Sequence, residues 1–142
     1  MLGKKIIFGL FVSFSLYMQT AAAEERFVHI QVSHKSEKDN MRFEFKVAAA
    51  NGMQLTFDGP WSLSIEENKG LLLSDEKGNK IAQQKYRYKN FSHDLPGFVV
   101  NAKKVGDDQS GKLSYKISTF SCTADKKQCF KRDYKETYTW KN

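Results

Sequence analysis

Two segments near the C-terminus decide the fold: GKLSYKISTFSC at residues 111–122 and CFKRDYKETYTW at residues 129–140. In both segments apolar residues recur at every second position or at multiples of two. They are odd-numbered in the first segment and even-numbered in the second: Leu113, Tyr115, Ile117; Phe130, Tyr134, Tyr138, Trp140. A period of two is typical of half-buried β-strands. We therefore predict two long strands joined as a hairpin.

Cys122 and Cys129, the only cysteines of the chain, fix the register of this hairpin if they are directly opposed. Ile117 then faces Tyr134, and both apolar sets fall on one side of the hairpin. A shift by one residue would place them on opposite sides. Directly opposed residues have Cα atoms about 4.5–5.5 Å apart, which is within disulfide range. The apolar pattern and a Cys122–Cys129 disulfide therefore predict the same register.

Two pairs fit this register less well. Tyr115 opposes Glu136, an aromatic ring against a carboxylate, and Lys116 opposes Lys135, two like charges. A β-bulge would relieve both pairs, but the sequence gives no sign of one.

The alternation extends through the rest of the chain. Further strands are predicted at residues 27–32, 41–47, 53–57, 61–65 and 98–102, with a short apolar strand at 71–73 that we expect to be covered on both faces. Turn-forming Gly, Pro, Asn and Asp residues separate them. Seven to nine short strands without a convincing helix predict an all-β antiparallel sandwich in a single domain. Trp61 and Trp140 are expected in its core.

Residues 1–23 are typical of a cleaved secretory signal. Lys4 and Lys5 precede an apolar segment at residues 6–18, and three alanines at residues 21–23 suit a signal peptidase. The apolar segment is shorter than the roughly 20 residues of a membrane-spanning helix. We expect residues 24–142 to be an exported domain without a membrane span, with an uncleaved anchor as the alternative.

Composition argues against several functional classes. The net charge of +7 falls to +5 without the two signal lysines, and its charges are interspersed with no basic stripe for nucleic acid. No Cys-x-x-Cys, nucleophile elbow or phosphate loop is present. His29, His34 and His93 are scattered without metal-ligand spacing. We therefore expect no metal, no cofactor and no nucleic-acid partner.

The cysteine pair allows two interpretations. As a staple, the disulfide would stabilise the fold by roughly 2.5 kcal/mol, because it closes a short loop in the unfolded chain. As a redox site, it would sit at a hairpin tip that a partner can reach. Four cations lie within a few residues of it and favour a thiolate, and two acids partly oppose them: Lys126, Lys127, Lys131 and Arg132; Asp125 and Asp133. The residues alone leave both interpretations open.

Several motifs in order resemble the N-terminal periplasmic domain of the thiol:disulfide interchange protein family DsbD. They are GMQL at 52–55, GPWSL at 59–63, LPGF at 95–98 and GKLSY at 111–115, followed by Cys122 and Cys129. The likeness covers roughly residues 43–140. It implies an immunoglobulin-like β-sandwich for residues 24–142, located in the periplasm.

The resemblance also implies a role for the cysteines. In the family such a pair passes electrons from a thioredoxin-like domain to periplasmic partners. Carried over, Cys122 and Cys129 are the catalytic residues, one attacked and the other resolving the mixed disulfide; the sequence does not say which. The partners would be periplasmic thioredoxin-like or other thiol–disulfide proteins.

The chain departs from the family pattern in two places. The family's cysteines lie closer together and precede a Tyr-Pro-Pro-like stretch, whereas here six residues separate them and Phe130-Lys131-Arg132 follows. The family's cap loop has an acidic pair and an aromatic lid. The corresponding region, residues 82–88, lacks the acids; Tyr86 or Tyr88 would be the lid, with a core or surface tyrosine as the alternative.

Three functional hypotheses follow. The first is an exported DsbD-like domain that exchanges thiols and disulfides through Cys122 and Cys129, a protein-disulfide reductase-like activity. The second is a non-catalytic immunoglobulin-like binding module whose disulfide only braces the hairpin. The third is a weakly cationic surface-binding protein.

Overall fold

The computed structural model describes residues 26–142, so the predicted signal at residues 1–23 lies outside the described part. The described part consists of nine β-strands joined by turns and loops. They are β1 (Val28–Glu37), β2 (Asn40–Ala49), β3 (Met53–Leu55), β4 (Ser62–Asn68), β5 (Leu71–Leu73), β6 (Tyr86–Tyr88), β7 (Gly97–Lys104), β8 (Ser110–Thr123) and β9 (Cys129–Lys141). Within residues 26–142 no helix could span a membrane.

Two antiparallel sheets pack face to face, as predicted for an all-β sandwich. One sheet has the order β1-β2-β7-β5. In the other, the long strand β8 pairs with β9 along one edge, and β4 and β3 share its other edge, with β6 beyond β4. The β8–β9 hairpin therefore organises the second sheet, and β9 lies at its margin.

The hairpin has the predicted register. Cys122 opposes Cys129 and Ile117 opposes Tyr134, and the pairing runs from Ser110 to Cys122 without a register shift. The bulge that would have relieved Tyr115 and Glu136 is absent from this hairpin. A shift occurs instead where β4 meets β8, between Ile65 and Glu67.

The core lies between the sheets and follows from the alternation. On β8 the odd-numbered residues Leu113, Tyr115 and Ile117 are buried, and on β2 the residues Met41, Phe43 and Phe45 are buried opposite them. Trp61 and Trp140 are both buried, as predicted. Burying such side chains stabilises the fold by roughly 1.5–3 kcal/mol each.

One strand prediction is wrong in part. Residues 71–73 form β5, but β5 is the outermost strand of its sheet rather than a central one. Leu71 and Leu73 point into the core, while Leu72 is only half-buried because it faces outward. The run of three leucines does not have the cover on both faces that we expected.

Candidate functional site

Cys122 and Cys129 form a disulfide at the far end of the β8–β9 hairpin, with an S–S distance of 2.06 Å. Their Cα atoms are 3.9 Å apart, closer than the expected 4.5–5.5 Å. The next pair, Thr123 and Gln128, carries a backbone hydrogen bond of 2.8 Å. The cysteines therefore occupy the non-hydrogen-bonded position, at which opposed strands approach more closely.

The two sulfur-bearing residues differ in exposure. Even-numbered residues of β8 point away from the core, so the disulfide lies on the outer face of the second sheet. Cys122 is only 6% exposed, because β8 is flanked on both sides by other strands. Cys129 is exposed at the start of the marginal strand β9. An incoming thiol can therefore approach Cys129, whereas Cys122 is shielded.

The turn beyond the disulfide is fixed by its own hydrogen bonds. Lys126 adopts a positive φ of 61°, and its amide donates to the carbonyl of Thr123 at 2.8 Å. The carboxylate of Asp125 accepts from the Thr123 hydroxyl at 2.5 Å and from the Lys127 amide at 3.0 Å. These contacts are typical of an Asx turn, and they order the tip of the hairpin.

Electrostatics at the tip are dominated by lysines. Lys126, Lys127 and Lys131 are exposed close to Cys129. The hydrogen bond from the Thr123 hydroxyl, followed by that from the Lys127 amide, lowers the pKa of Asp125 below its usual value of 3.8. Asp125 therefore stays ionised at neutral pH but is engaged by the turn. The lysines near the exposed sulfur carry positive charge, which stabilises a thiolate.

Gln54 and Phe120 flank Cys122 on the outer face. Gln54 of β3 opposes Cys122 across the strands, and its side-chain amide donates to the carbonyl of Thr123 at 3.4 Å. Phe120 lies two residues before Cys122 and so shares its face. The loop at residues 56–61 folds over the Phe120 ring, and a Cβ on Gly59 would lie 2.2 Å from that ring. Only glycine allows so close an approach.

On the inner face, below the disulfide, aromatic rings close the sandwich. The rings of Phe27 and Phe130 stack with centroids 4.7 Å apart. The guanidinium of Arg132 lies over the Phe27 ring at 5.0 Å. Phe130 directly follows Cys129, so this stack fixes the end of β9 from below while the sulfur remains on the outside.

The structure does not bring Tyr86 or Tyr88 to the disulfide, and this corrects their proposed role as a lid. Both lie on β6, opposite Ile65 and Leu63 of β4, and so two strands away from β8. Tyr88 is 2% exposed, its hydroxyl donates to the Ser74 carbonyl at 2.7 Å, and burial raises its pKa. Tyr86 packs against it at 4.7 Å.

A groove of about 670 Å³ is lined in part by the loop that covers Phe120. Sequence reasoning missed it, because Trp61 was assigned to the core, where it is indeed buried. Three aromatic rings, one imidazole and two cations line the groove, among small and polar neighbours. The rings are those of Phe57, Trp61 and Phe91, the imidazole is that of His93, and the cations are Arg87 and Lys89. The aromatic residues at 57, 61 and 91 were the available signal of a groove. They lie on loops that are far apart in sequence, so the sequence does not show that they come together.

Residues 26–142 contain no cluster of His, Cys, Asp or Glu that could hold a metal ion.

No family model and no curated protein matches this chain. Among solved structures, it is similar to the solution NMR structure of a conjugate transposon protein from Bacteroides vulgatus, with 11% sequence identity and a TM-score of 0.39. The alignment covers 87% of this chain and 92% of that chain. A similarity at this level does not bear on function, and the resemblance to the DsbD-like family stays a prediction.

Proposed function

We propose that this protein exchanges thiols and disulfides with partner proteins through Cys122 and Cys129. The observation that carries the proposal is the contrast in exposure within one bond, since Cys129 is exposed and Cys122 is 6% exposed. A disulfide that only braces a fold needs no accessible sulfur, whereas exchange requires one sulfur within reach of an incoming thiolate.

The contrast assigns the roles of the two sulfurs. A partner thiolate attacks Sγ of Cys129, the Cys122–Cys129 bond breaks, and Cys122 leaves as a thiolate. A second partner thiol, as a thiolate, then attacks the partner's sulfur in the mixed disulfide and releases Cys129 as a thiolate. The partner dithiol is thereby oxidised to a disulfide, and this protein gains two electrons and takes up two protons. In the reverse direction Cys129 attacks a partner disulfide and Cys122 resolves the mixed species.

The local charge suits this chemistry. Lys126, Lys127 and Lys131 surround the exposed sulfur, and positive charge lowers the pKa of a thiol and stabilises the thiolate that leaves or attacks. The one carboxylate in the turn, Asp125, accepts two hydrogen bonds within it.

The structural alternative, a binding module with a bracing disulfide, is less well supported. Thirteen residue pairs already join β8 to β9, and the turn between them is held by the contacts of Asp125 and Thr123. The disulfide is thus placed where the hairpin needs it least. The predicted export signal would deliver the chain to the periplasm, where thioredoxin-like proteins are the expected partners.

Trapping with single-cysteine variants tests the proposal. Cys122→Ser leaves the exposed sulfur as a thiol, which should attack the disulfide form of a thioredoxin-like protein, release one of its sulfurs as a thiolate and accumulate as a mixed disulfide. The matched variant Cys129→Ser should accumulate much less. The reduction potential of the wild-type pair should lie above about −300 mV. A more negative potential, or equal and negligible trapping by both variants, would refute exchange.

The double variant Cys122→Ser/Cys129→Ser separates exchange from bracing. We expect it to fold, with a free energy of unfolding lowered by no more than about 2.5 kcal/mol, and to lose all trapping. If it instead fails to fold, as judged by circular dichroism and by the dispersion of amide proton chemical shifts in an NMR spectrum, the bracing alternative is favoured.

A further inference from the structure

The groove beside Phe120 has a distinct chemical character. Trp61 stacks on Phe91 with ring centroids 4.2 Å apart, and Phe57 stacks on His93 at 4.8 Å. Phe57 is 43% exposed, an unusual position for a large apolar side chain. The two stacks are linked, because Phe57 and Phe91 are 5.8 Å apart. Together they form a continuous aromatic wall that is partly open to solvent.

Cations line the other side of this groove. Arg87 and Lys89 are both exposed, and Arg87 is oriented by a hydrogen bond of 3.1 Å to the hydroxyl of Ser62. No residue lining the groove in the described part of the chain is acidic, and neither cation forms an ion pair there. Glu76 does not line the groove. Its carboxylate accepts hydrogen bonds from the backbone amides of Lys89 and Asn90. The lining of the groove thus carries two cations and no carboxylate beside apolar surface.

The groove is continuous with the disulfide face. Phe120 is the link, because it shares the outer face with Cys122 two residues further along β8. Its ring lies 6.0 Å from that of Trp61, and Gly59 covers it. A protein seated over Cys129 would therefore extend across Phe120 into the groove.

We propose that this aromatic–cationic groove binds an acidic peptide segment of the exchange partner, with an apolar side chain against the aromatic wall and carboxylates at Arg87 and Lys89. This inference rests on the proposed function. Charge complementarity of this kind mainly accelerates association and selects partners. The groove would therefore determine which proteins reach the disulfide, while the cysteines carry out the exchange.

A peptide fits better than a single-stranded nucleic acid. Nucleic-acid binding of that type needs open ring faces on which successive bases stack, along an extended basic track. Here Phe57 and Trp61 each have one face occupied by His93 and Phe91, and two cations line a short groove.

A binding experiment without any thiol tests the groove by itself. The probe is a synthetic peptide with one phenylalanine flanked by glutamates, and its control replaces the glutamates by lysines. The two indole N–H signals in an NMR spectrum report separately, because Trp61 lines the groove and Trp140 is fully buried elsewhere. We expect the acidic peptide to shift the Trp61 signal and leave that of Trp140 unchanged, and the basic peptide to shift neither.

Charge reversal should abolish this response. Arg87→Glu/Lys89→Glu should weaken the binding of the acidic peptide roughly tenfold or more, equivalent to about 1.4 kcal/mol. Lys85→Glu/Lys112→Glu is a control matched in net charge, because both lysines are exposed and neither lines the groove. Equal binding of both peptides, an unmoved Trp61 signal, or a larger Trp61 shift with a single-stranded oligonucleotide would overturn the proposal.

A kinetic experiment connects the groove to exchange. The same acidic peptide carrying one cysteine should reduce the wild-type disulfide faster than the basic peptide does, and the double reversal should remove that advantage. The rate with 2-mercaptoethanol, which carries no charged group besides its reacting thiolate, should change little with the reversal. If neither the cysteine peptides nor 2-mercaptoethanol reduced the disulfide, the exchange function would be refuted. If the charge reversal left the peptide rates unaltered, only the role of the groove would be refuted.

Discussion

The hydroxyl of Tyr115 donates a 2.9 Å hydrogen bond to Oε2 of Glu136, directly across β8 and β9. Glu136 also pairs with Arg26 through its other oxygen. The ring of Tyr115 is buried, and burial raises the pKa of its hydroxyl, which therefore remains a donor at neutral pH. A pair that looked like a misfit in the sequence is thus a satisfied polar contact at the margin of the core.

Replacing Glu136 by Ala should therefore cost stability. The Tyr115 hydroxyl would lose its acceptor at a partly buried site, and we expect the free energy of unfolding to fall by about 1–2 kcal/mol. Glu136→Gln keeps an acceptor oxygen and should cost less. Urea unfolding of the two variants and the wild type measures the difference; equal losses for Ala and Gln would show that the hydrogen bond contributes nothing.

Gly59→Ala should displace the loop that covers Phe120. The new methyl group would lie 2.2 Å from the ring, so the loop or the ring must move, at a cost of about 1–3 kcal/mol. In a Phe120→Ala background the same substitution should cost much less, because the obstructing ring is gone. A double-mutant cycle measured by thermal unfolding tests this coupling; additive effects would contradict the contact.

The charge of Asp125 should make the hairpin turn sensitive to acid. Because its pKa is lower in the folded state than its usual value of 3.8, the ionised form stabilises the fold above that value. This contribution is lost as the pH falls through the lowered pKa. Asp125→Asn should be less stable than the wild type at pH 5–7, with the difference disappearing in stronger acid. Denaturant midpoints of both proteins from pH 2 to 7 check the sign; a constant difference would contradict it.

Lys135→Glu should stabilise the hairpin modestly. Lys116 and Lys135 remain directly opposed on the outer face, and like charges in that arrangement repel. Reversing one of them should raise the free energy of unfolding by roughly 0.2–1 kcal/mol, and added salt should reduce the gain. Lys141→Glu, which opposes Ser110 instead, serves as the control for the change in net charge. Equal effects of the two substitutions would rule out the cross-strand repulsion.

Local alternation was sufficient to predict the hairpin. Because side chains in a strand alternate between faces, Leu113 and Ile117 could share the core with Tyr134 only if odd-numbered residues of β8 oppose even-numbered residues of β9. Placing Cys122 opposite Cys129 then selected one such register, which is the one observed. The same reasoning placed Trp61 and Trp140 in the core. It failed for residues 71–73, since the position of a strand within a sheet is not encoded in its own three residues.

The surroundings of the disulfide were decided by the tertiary structure. Alternation shows that a tyrosine on β6 points inward or outward, but it does not show that β6 lies two strands away from β8. The sequence therefore left a lid role for Tyr86 or Tyr88 open beside a core or surface position, and the structure places Tyr88 in the core. The unequal exposure of Cys122 and Cys129 likewise arises from which strands flank each of them.

The amino-acid sequence by itself determined the all-β class, the hairpin register and the cysteine pairing, because each depends on a repeat of two residues along neighbouring strands. Only the tertiary structure placed Phe57, Trp61 and Phe91 beside Arg87 and Lys89, because these residues come from loops and an edge strand that are distant in sequence. Their proximity depends on how the two sheets stack and where β6 pairs, which is a property of the whole packed core.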